Sequence, residues 1–324
     1  MKALTVPRFG GPELLEPATL PVPEPGPGQL LVKVVACGIN PVDAKIRKGA
    51  LDLPFTFPLV LGYDVSGVVE AVGEGVQDFA TGDEVYFSQE LTENGGYAEF
   101  TCVEQEGVAF KPVGLSHVEA ASVPIAGMTA WQALFDRAGV VPGETVLVHG
   151  GAGGVGSMAV QLASWAGAEV FATAGPRNQA FLEELGADLC LDYTRQDFVK
   201  EVLHATAGEG VGVVLDTVGG EVLLRSLEAL APEGRLVAVV PENLAGLPLE
   251  GLRTGFFRNA EIHLHFMERR RETLDALARL LERGFLQPVV DLVIPLDAGA
   301  VAEAHRRMDT GHGRGKVVIQ MERE

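Results

Sequence analysis

The stretch His149-Gly150-Gly151-Ala152-Gly153-Gly154-Val155-Gly156 constrains this chain more than any other. Gly151, Gly153 and Gly156 satisfy G-x-G-x-x-G, after a short apolar strand pattern (Thr145 to His149) and before a helical run (Ser157 to Ala166). Glycine is needed there for separate reasons: a tight turn, close approach of backbone to a pyrophosphate, and close packing of helix on strand. The helix N-terminus then offers unpaired N–H groups and a positive dipole end to the phosphates. With 40 glycines in the chain a chance match is easy, so the strand–loop–helix setting carries the inference. The alternative is a merely tight βα turn.

The surrounding rhythm agrees. From about residue 122, apolar strands (Glu169 to Thr173, Leu189 to Asp192, Val211 to Asp216, Arg235 to Val240) alternate with helices (Asn178 to Leu185, Val222 to Leu230). Such alternation builds a doubly wound parallel sheet covered on both faces, an α/β architecture. The run Ala260 to Phe266 follows this series and is expected at the sheet edge, where an exposed strand is a liability unless covered. Residues 1–120 read differently. Short strand-like runs (Gln29 to Ala36, Gly67 to Val72, Tyr97 to Val103) are broken by Gly and Pro, as in Pro21-Val22-Pro23-Glu24-Pro25-Gly26-Pro27-Gly28, which indicates a small β-rich unit. The last stretch, about 267–324, holds one amphipathic helix pattern (Arg271 to Arg283) and strands at Val289 to Ile294 and Lys316 to Gln320. It is too short for a domain of its own and is expected to complete the first.

The chain is 47% hydrophobic and 21% charged, as ordinary globular proteins are. Its 44 acidic against 25 basic residues give a formal charge of −19, which repels phosphate backbones and anionic lipid and argues against nucleic-acid or membrane partners. Cys37, Cys102 and Cys190 are too scattered for a disulfide framework or a paired metal motif. Neither a signal peptide nor a run of about 18 apolar residues is present, and a cytoplasmic protein is expected.

The end of the second Rossmann-type strand bears on which dinucleotide binds. An NAD-preferring site places Asp or Glu about 20 residues after the glycines, to hold the ribose hydroxyls. Here Thr173-Ala174-Gly175-Pro176-Arg177-Asn178 has no acid. A carboxylate would repel a 2′-phosphate, whereas Arg177 can grip one, so NADPH is expected over NADH. The plainer reading of Arg177 is an exposed first-turn helix residue.

Several segments together resemble one family: Cys37-Gly38-Ile39-Asn40-Pro41-Val42-Asp43, Gly62-Tyr63-Asp64-Val65-Ser66-Gly67, Gly127-Met128-Thr129-Ala130-Trp131, the glycine loop, Leu185-Gly186-Ala187-Asp188 and Gly315-Lys316-Val317-Val318. The chain resembles the medium-chain dehydrogenase/reductase superfamily, in its zinc-free quinone oxidoreductase-like group, along essentially its whole length. The resemblance implies a GroES-like β-rich catalytic domain (1–121, completed by about 267–324), a Rossmann NADP-binding domain (122–266), and a cofactor in the cleft between them. It also implies a homodimer made by pairing two sheet edges. Zinc-dependent relatives carry Cys where this chain has Asn40 and His where it has Tyr63, and amide and phenol are poor replacements in a tetrahedral zinc site. Only Cys102 stands where such relatives often have a four-cysteine lobe, so no metal is expected.

Without a Lewis acid, a simple alkoxide is hard to stabilise. Hydride addition to a quinone or an α,β-unsaturated carbonyl yields a delocalised anion that modest hydrogen-bond donors can hold. The resemblance therefore implies NADPH-dependent reduction of such substrates, with Asn40, Lys45 and Tyr63 as catalytic candidates. Lys45 stands where many quinone reductases of the group carry Tyr, and the Asn-Pro-Val-Asp-x-Lys form is similar to the enone and alkenal reductase branch. The plain alternatives are a solvated lysine and a core-packing tyrosine. Cofactor contacts are implied for Thr129, for Gly151, Ala152, Gly153, Gly154, Val155 and Gly156, for Thr173, Ala174 and Arg177, and for Tyr193, Val218 and Lys316. Ordinary loop roles remain the alternative for the individual positions. The loop Val240 to Phe257, expected near the substrate, carries no decodable pattern. A cofactor-binding structural or sensing protein with little turnover is the other reading of the same fold.

Overall fold

The structure is a computed structural model describing residues 1–240, 249–311 and 313–322. The chain divides into two compact units, residues 1–128 with 269–324, and residues 129–268.

The first unit is β-rich. Its strands are β1 (Lys2–Val6), β2 (Glu16–Thr19), β3 (Gln29–Ile39), β4 (Leu59–Val60), β5 (Asp64–Val72), β6 (Glu84–Ser88), β7 (Phe100–Glu104) and β8 (Val108–Phe110). β2, β1 and β4 form a three-stranded antiparallel sheet. β3 is the long central strand of the second sheet, pairing antiparallel with β5 and, at its N-terminal half, with β7. Its sequence, Gln-Leu-Leu-Val-Lys-Val-Val-Ala-Cys-Gly-Ile, buries apolar side chains on both faces, as a strand between two layers must. Tyr63, Tyr97, Phe87 and the Leu and Val residues of β1, β3 and β5 fill the core. The proline-rich residues 21–28 contain no helix or strand. A short helix, Pro41–Lys48, follows β3 directly.

The second unit contains β9 (Thr145–His149), β10 (Glu169–Ala174), β11 (Leu189–Asp192), β12 (Val211–Asp216), β13 (Leu230–Ala238) and β14 (Glu261–Leu264). They lie in the order β11-β10-β9-β12-β13-β14, with every pair parallel. This is the doubly wound arrangement, and its strand order reverses between β9 and β12, where the carboxyl ends open a crevice for ligands. Helices Gly154–Trp165, Gln179–Glu184, Phe198–Ala205 and Glu221–Ala229 connect the strands. β14 is an edge strand, as the sequence leads one to expect.

The chain then returns to the first unit with β15 (Val290–Pro295) and β16 (Lys316–Gln320), and β16 pairs antiparallel with β3. A helix precedes each of these last strands, where the sequence pattern gives only one helix. Arg271–Glu282 is the expected amphipathic helix, and Ala298–Asp309 is additional. Its first turn, Ala-Gly-Ala-Val-Ala, has too little contrast between faces to show a helical period. Its start is fixed instead by Asp297, whose carboxylate accepts from Ala300 N at 2.9 Å.

Candidate active site

The glycine loop leaves the carboxyl end of β9 and enters helix Gly154–Trp165. Gly150 has φ +67°, and a Cβ there would also lie 2.5 Å from Thr217 Oγ1, so only glycine serves. A Cβ on Gly156 would sit 2.1 Å from the Gly150 carbonyl oxygen, and one on Gly151 2.9 Å from Leu182. These two glycines therefore let helix, loop and strand pack closely. Gly153 differs: a Cβ there meets only the Gly150 oxygen, at 3.4 Å, and Gly153, Gly154 and Val155 are half-buried. Gly153 caps the helix without a side chain, leaving first-turn N–H groups for a ligand. This cradle of bare backbone fits a dinucleotide pyrophosphate. Ala152 is buried within it.

Two threonines hold the loop. Thr173, near the end of β10, accepts from Gly150 N at 3.2 Å through its hydroxyl and from Gly151 N at 2.9 Å through its carbonyl. Thr217, just past β12, donates to the His149 carbonyl at 2.7 Å. Beyond it, Asp216 is wholly buried and accepts from Val218 N at 2.8 Å and Gly219 N at 2.9 Å, while Val218 itself is exposed. At the tip of β10, Ala174 is buried and Arg177 exposed on the short turn that follows. Tyr193, half exposed, stands beside Gly175, with its hydroxyl 3.6 Å from where a Gly175 Cβ would be. Ala174, Arg177 and Tyr193 thus share one end of the sheet, as an adenosine-end site requires.

In the first unit a buried polar network joins four segments. Lys316, the first residue of β16, donates to Asn40 Oδ1 and, at 2.9 Å, to Asp64 Oδ2. Asn40 Nδ2 donates to the same Asp64 oxygen at 2.9 Å and makes a longer, 3.5 Å contact to the Gly38 carbonyl. The second Asp64 oxygen accepts from Ile125 N at 2.8 Å. Asp43, one helical turn after Asn40, accepts from Asn40 N at 2.6 Å and Gly62 N at 2.8 Å. These bonds tie the Asn40 and Tyr63 segments together. Burial is the largest influence on the Asp43 carboxyl and raises its pKa to about 7, against the pull of its two N–H donors and Lys316. Burial likewise holds the Tyr63 phenol and the Cys37 thiol well above their usual ranges, the nearby carboxylates adding to it. Tyr63 is therefore a phenol at all working pH values, able to donate a hydrogen bond. Lys45 lies half-buried in the last turn of helix Pro41–Lys48, and Thr129 is buried in helix Pro124–Trp131. Residues 241–248 of the Val240 to Phe257 loop lie outside the described residues.

Comparison with known proteins places the chain. Residues 26–113 match the alcohol dehydrogenase GroES-like domain family and residues 185–319 the zinc-binding dehydrogenase family. The quinone oxidoreductase of Sus scrofa is 33% identical over 319 residues, covering 97% of this chain and 95% of that protein. The chain belongs to the medium-chain dehydrogenase/reductase superfamily, in its quinone oxidoreductase-like group. The NADPH-dependent alkenal/one oxidoreductase of Arabidopsis thaliana is 35% identical, over 98% of this chain and 79% of that one. Among solved structures, an NAD-dependent alcohol dehydrogenase superposes with a TM-score of 0.92 at 36% identity, covering 99% of this chain and all of that one.

For a medium-chain dehydrogenase/reductase, the donor set at the Asn40 and Tyr63 positions is a poor zinc site. Both faces of the Asn40 amide are engaged, by Lys316 and by Asp64. Tyr63 is held neutral, and the Lys316 ammonium repels a dication. Among the described residues no three His, Cys, Asp or Glu side chains are grouped to hold a metal. The sequence gives no separate role to Asp43 or Asp64 and groups Lys316 with the cofactor contacts. It did not connect Lys316 to Asn40 across 276 positions. The one signal available was a Lys at the head of an apolar strand, which needs an anion only where the fold buries it; Lys2, at the head of β1, is exposed.

Proposed function

We propose that this protein is an NADPH-dependent, zinc-independent oxidoreductase reducing quinones or α,β-unsaturated carbonyl compounds. The observation that carries this reading is the Lys316–Asn40–Asp64 network. It supports an amide donor, polarised by Lys316, taking the part of a metal at a position where zinc-dependent relatives carry a ligand. A nicotinamide bound at the glycine cradle supplies the hydride. The ammonium on Asn40 Oδ1 draws electron density from the amide and strengthens its N–H groups as donors. One N–H is held by Asp64. The other makes only the 3.5 Å contact to Gly38, and with the amide plane fixed by Lys316 and Asp64 it is the donor left for a substrate oxygen. Tyr63, kept protonated by burial, is the second candidate donor for the developing enolate or phenolate, and Lys45 the candidate cation. Two such donors suit a delocalised anion; a localised alkoxide needs more.

NADPH rather than NADH is favoured by the acid-free β10 tip and by Arg177. The relative named NADPH-dependent lends support, against the NAD-dependent structural neighbour. A homodimer is supported by β14, an edge strand with Leu264 and the adjoining Phe266 about two-thirds exposed. The three free thiols fit a cytoplasmic setting, and among the described residues no helix is long and apolar enough to cross a membrane. The deciding experiment is an oxidation screen of NADPH and NADH in parallel, across quinones, 2-alkenals and cyclic enones, with wild type and Arg177→Ala. Turnover with NADPH and these substrates is expected, with the preference weakened in the variant. Cofactor binding without turnover in any combination would establish the structural or sensing reading instead.

A further inference from the structure

His149 ends β9, and its ring is buried in the core of the nucleotide-binding unit. Each ring nitrogen meets a hydroxyl: Nδ1 lies 3.1 Å from Thr173 Oγ1, and Nε2 lies 2.9 Å from Ser226 Oγ. The hydroxyl protons fix the direction of both bonds. Ser226 already donates to the Val222 carbonyl at 2.7 Å, and a hydroxyl has one proton to give. Ser226 therefore accepts from His149, which puts the ring proton on Nε2. Nδ1 is then a bare acceptor, and the Thr173 hydroxyl donates to it. The same Thr173 oxygen accepts from Gly150 N. One directed chain thus runs from the loop amide through Thr173, His149 and Ser226 to helix Glu221–Ala229.

The amide at its head belongs to the His149–Gly150 peptide, whose carbonyl accepts from Thr217. Thr173 and Thr217 therefore clamp both ends of one peptide plane. That plane starts the loop. The next carbonyl, of Gly150, accepts from Gly153 N at 3.0 Å and is the atom against which Gly156 packs. A rotated 149–150 peptide would carry the first-turn amides with it.

We propose that His149 is a positioning residue for dinucleotide binding: its Nε2–H ring orients the Thr173 hydroxyl, which with Thr217 clamps the His149–Gly150 peptide and sets the phosphate-facing amides. The proposal rests on the reading of this loop as the dinucleotide site. The surroundings keep the ring in that form. Phe198 packs edge-on against it with centroids 4.6 Å apart, and Arg225, paired with Asp197, lies over the Phe198 ring. Burial, with the Arg225 charge adding to it, pushes the imidazole pKa down to about 3. Protonation at Nδ1 would reverse that bond, turning Thr173 into an acceptor from both the ring and Gly150 N and leaving its hydroxyl proton to find another partner.

Two measurements test this. Long-range ¹H–¹⁵N spectra of histidine-labelled wild type should show His149 as the Nε2–H tautomer from pH 5 to 8; an Nδ1–H ring overturns the relay. NADPH dissociation constants come from fluorescence titration, which needs no turnover. His149→Leu and Thr173→Val should each raise Kd about tenfold or more, about 1.4 kcal/mol, and the double variant no further than the worse single. His149→Asn places an amide oxygen near the Nδ1 position but cannot reach Ser226. It should bind within about threefold of wild type even if its Tm falls, because only the Thr173 half of the relay touches the loop. Asn no better than Leu, or Leu equal to wild type, reduces His149 to packing. If His149→Leu does not fold, Thr173→Val alone decides, and wild-type affinity there overturns the proposal. Wild type that binds neither NADPH nor NADH overturns the dinucleotide-site reading itself, a result distinct from any of these.

Discussion

Gly156→Ala puts the loop geometry under direct strain. Alanine normally favours a helix over glycine by about 0.5–1 kcal/mol, and Gly156 lies in the first turn of helix Gly154–Trp165. A Cβ there, however, stands 2.1 Å from the Gly150 carbonyl oxygen and 2.8 Å from Gly151 Cα, where contacts under 3.0 Å are essentially never tolerated. Both are backbone atoms and cannot rotate aside. The loop must move by roughly 1 Å, and the carbonyl that moves is the acceptor for Gly153 N. Overpacking of this kind costs about 1–3 kcal/mol, which outweighs the propensity gain. Displaced amides also lose charge-assisted hydrogen bonds to a pyrophosphate, each worth about 1.5–3 kcal/mol. NADPH Kd should therefore rise by about tenfold to a hundredfold, with a measurable fall in Tm. Gly153→Ala is the control: its Cβ meets protein at 3.4 Å, so Tm should hold while affinity falls if phosphate packs there. Thermal unfolding and NADPH fluorescence titration read both. Wild-type Kd and Tm for Gly156→Ala would refute the close-packing argument.

Lys316→Met leaves the buried Asp64 carboxylate without its cation, a change that typically costs about 3–5 kcal/mol. Urea unfolding should show that loss, kcat should fall with it, and Asp64→Asn in the same background should restore most of the stability; no recovery would contradict the ion-pair reading. His149, with a pKa near 3 in the fold against 6.5 unfolded, contributes stability that is complete above pH 6.5 and lost as pH falls toward 3. Wild type should therefore lose about 1.4 kcal/mol per pH unit more than His149→Leu between pH 6 and 4, and equal slopes in urea titrations would show that the buried ring protonates freely. Light scattering at micromolar concentration should give about twice the 34.3 kDa chain mass, and a monomer would remove the role proposed for the β14 edge.

Local pattern carried the nucleotide unit. Leu189–Asp192 appears as a strand with the bounds its apolar run suggests, because buried parallel strands and a glycine turn are written in consecutive residues. The first unit was less legible. β6, β8 and the two-residue β4 are short, and they owe their pairing to distant strands. Helix Ala298–Asp309 was hidden by its small residues, and its existence depends on packing against the β-rich core. At the site, Asn40 and Tyr63 stood out as replacements in a known pattern. The Lys316 and Asp64 contacts did not, since they join positions 276 and 24 residues from Asn40. The His149 relay was missed because a lone histidine at a strand end gives no sign of which hydroxyls it will meet.

The proposed reaction is metal-free hydride delivery to a conjugated acceptor, with the charge held by Asn40, Tyr63 and Lys45. It is tested most directly by following the label from deuterated NADPH into a cyclic enone, using protein treated with EDTA and shown to hold no stoichiometric zinc. Deuterium on the β-carbon of a saturated ketone, with turnover undiminished by EDTA, is the expected result. Deuterium on the carbonyl carbon of an allylic alcohol, or activity that disappears with a bound metal, would contradict it.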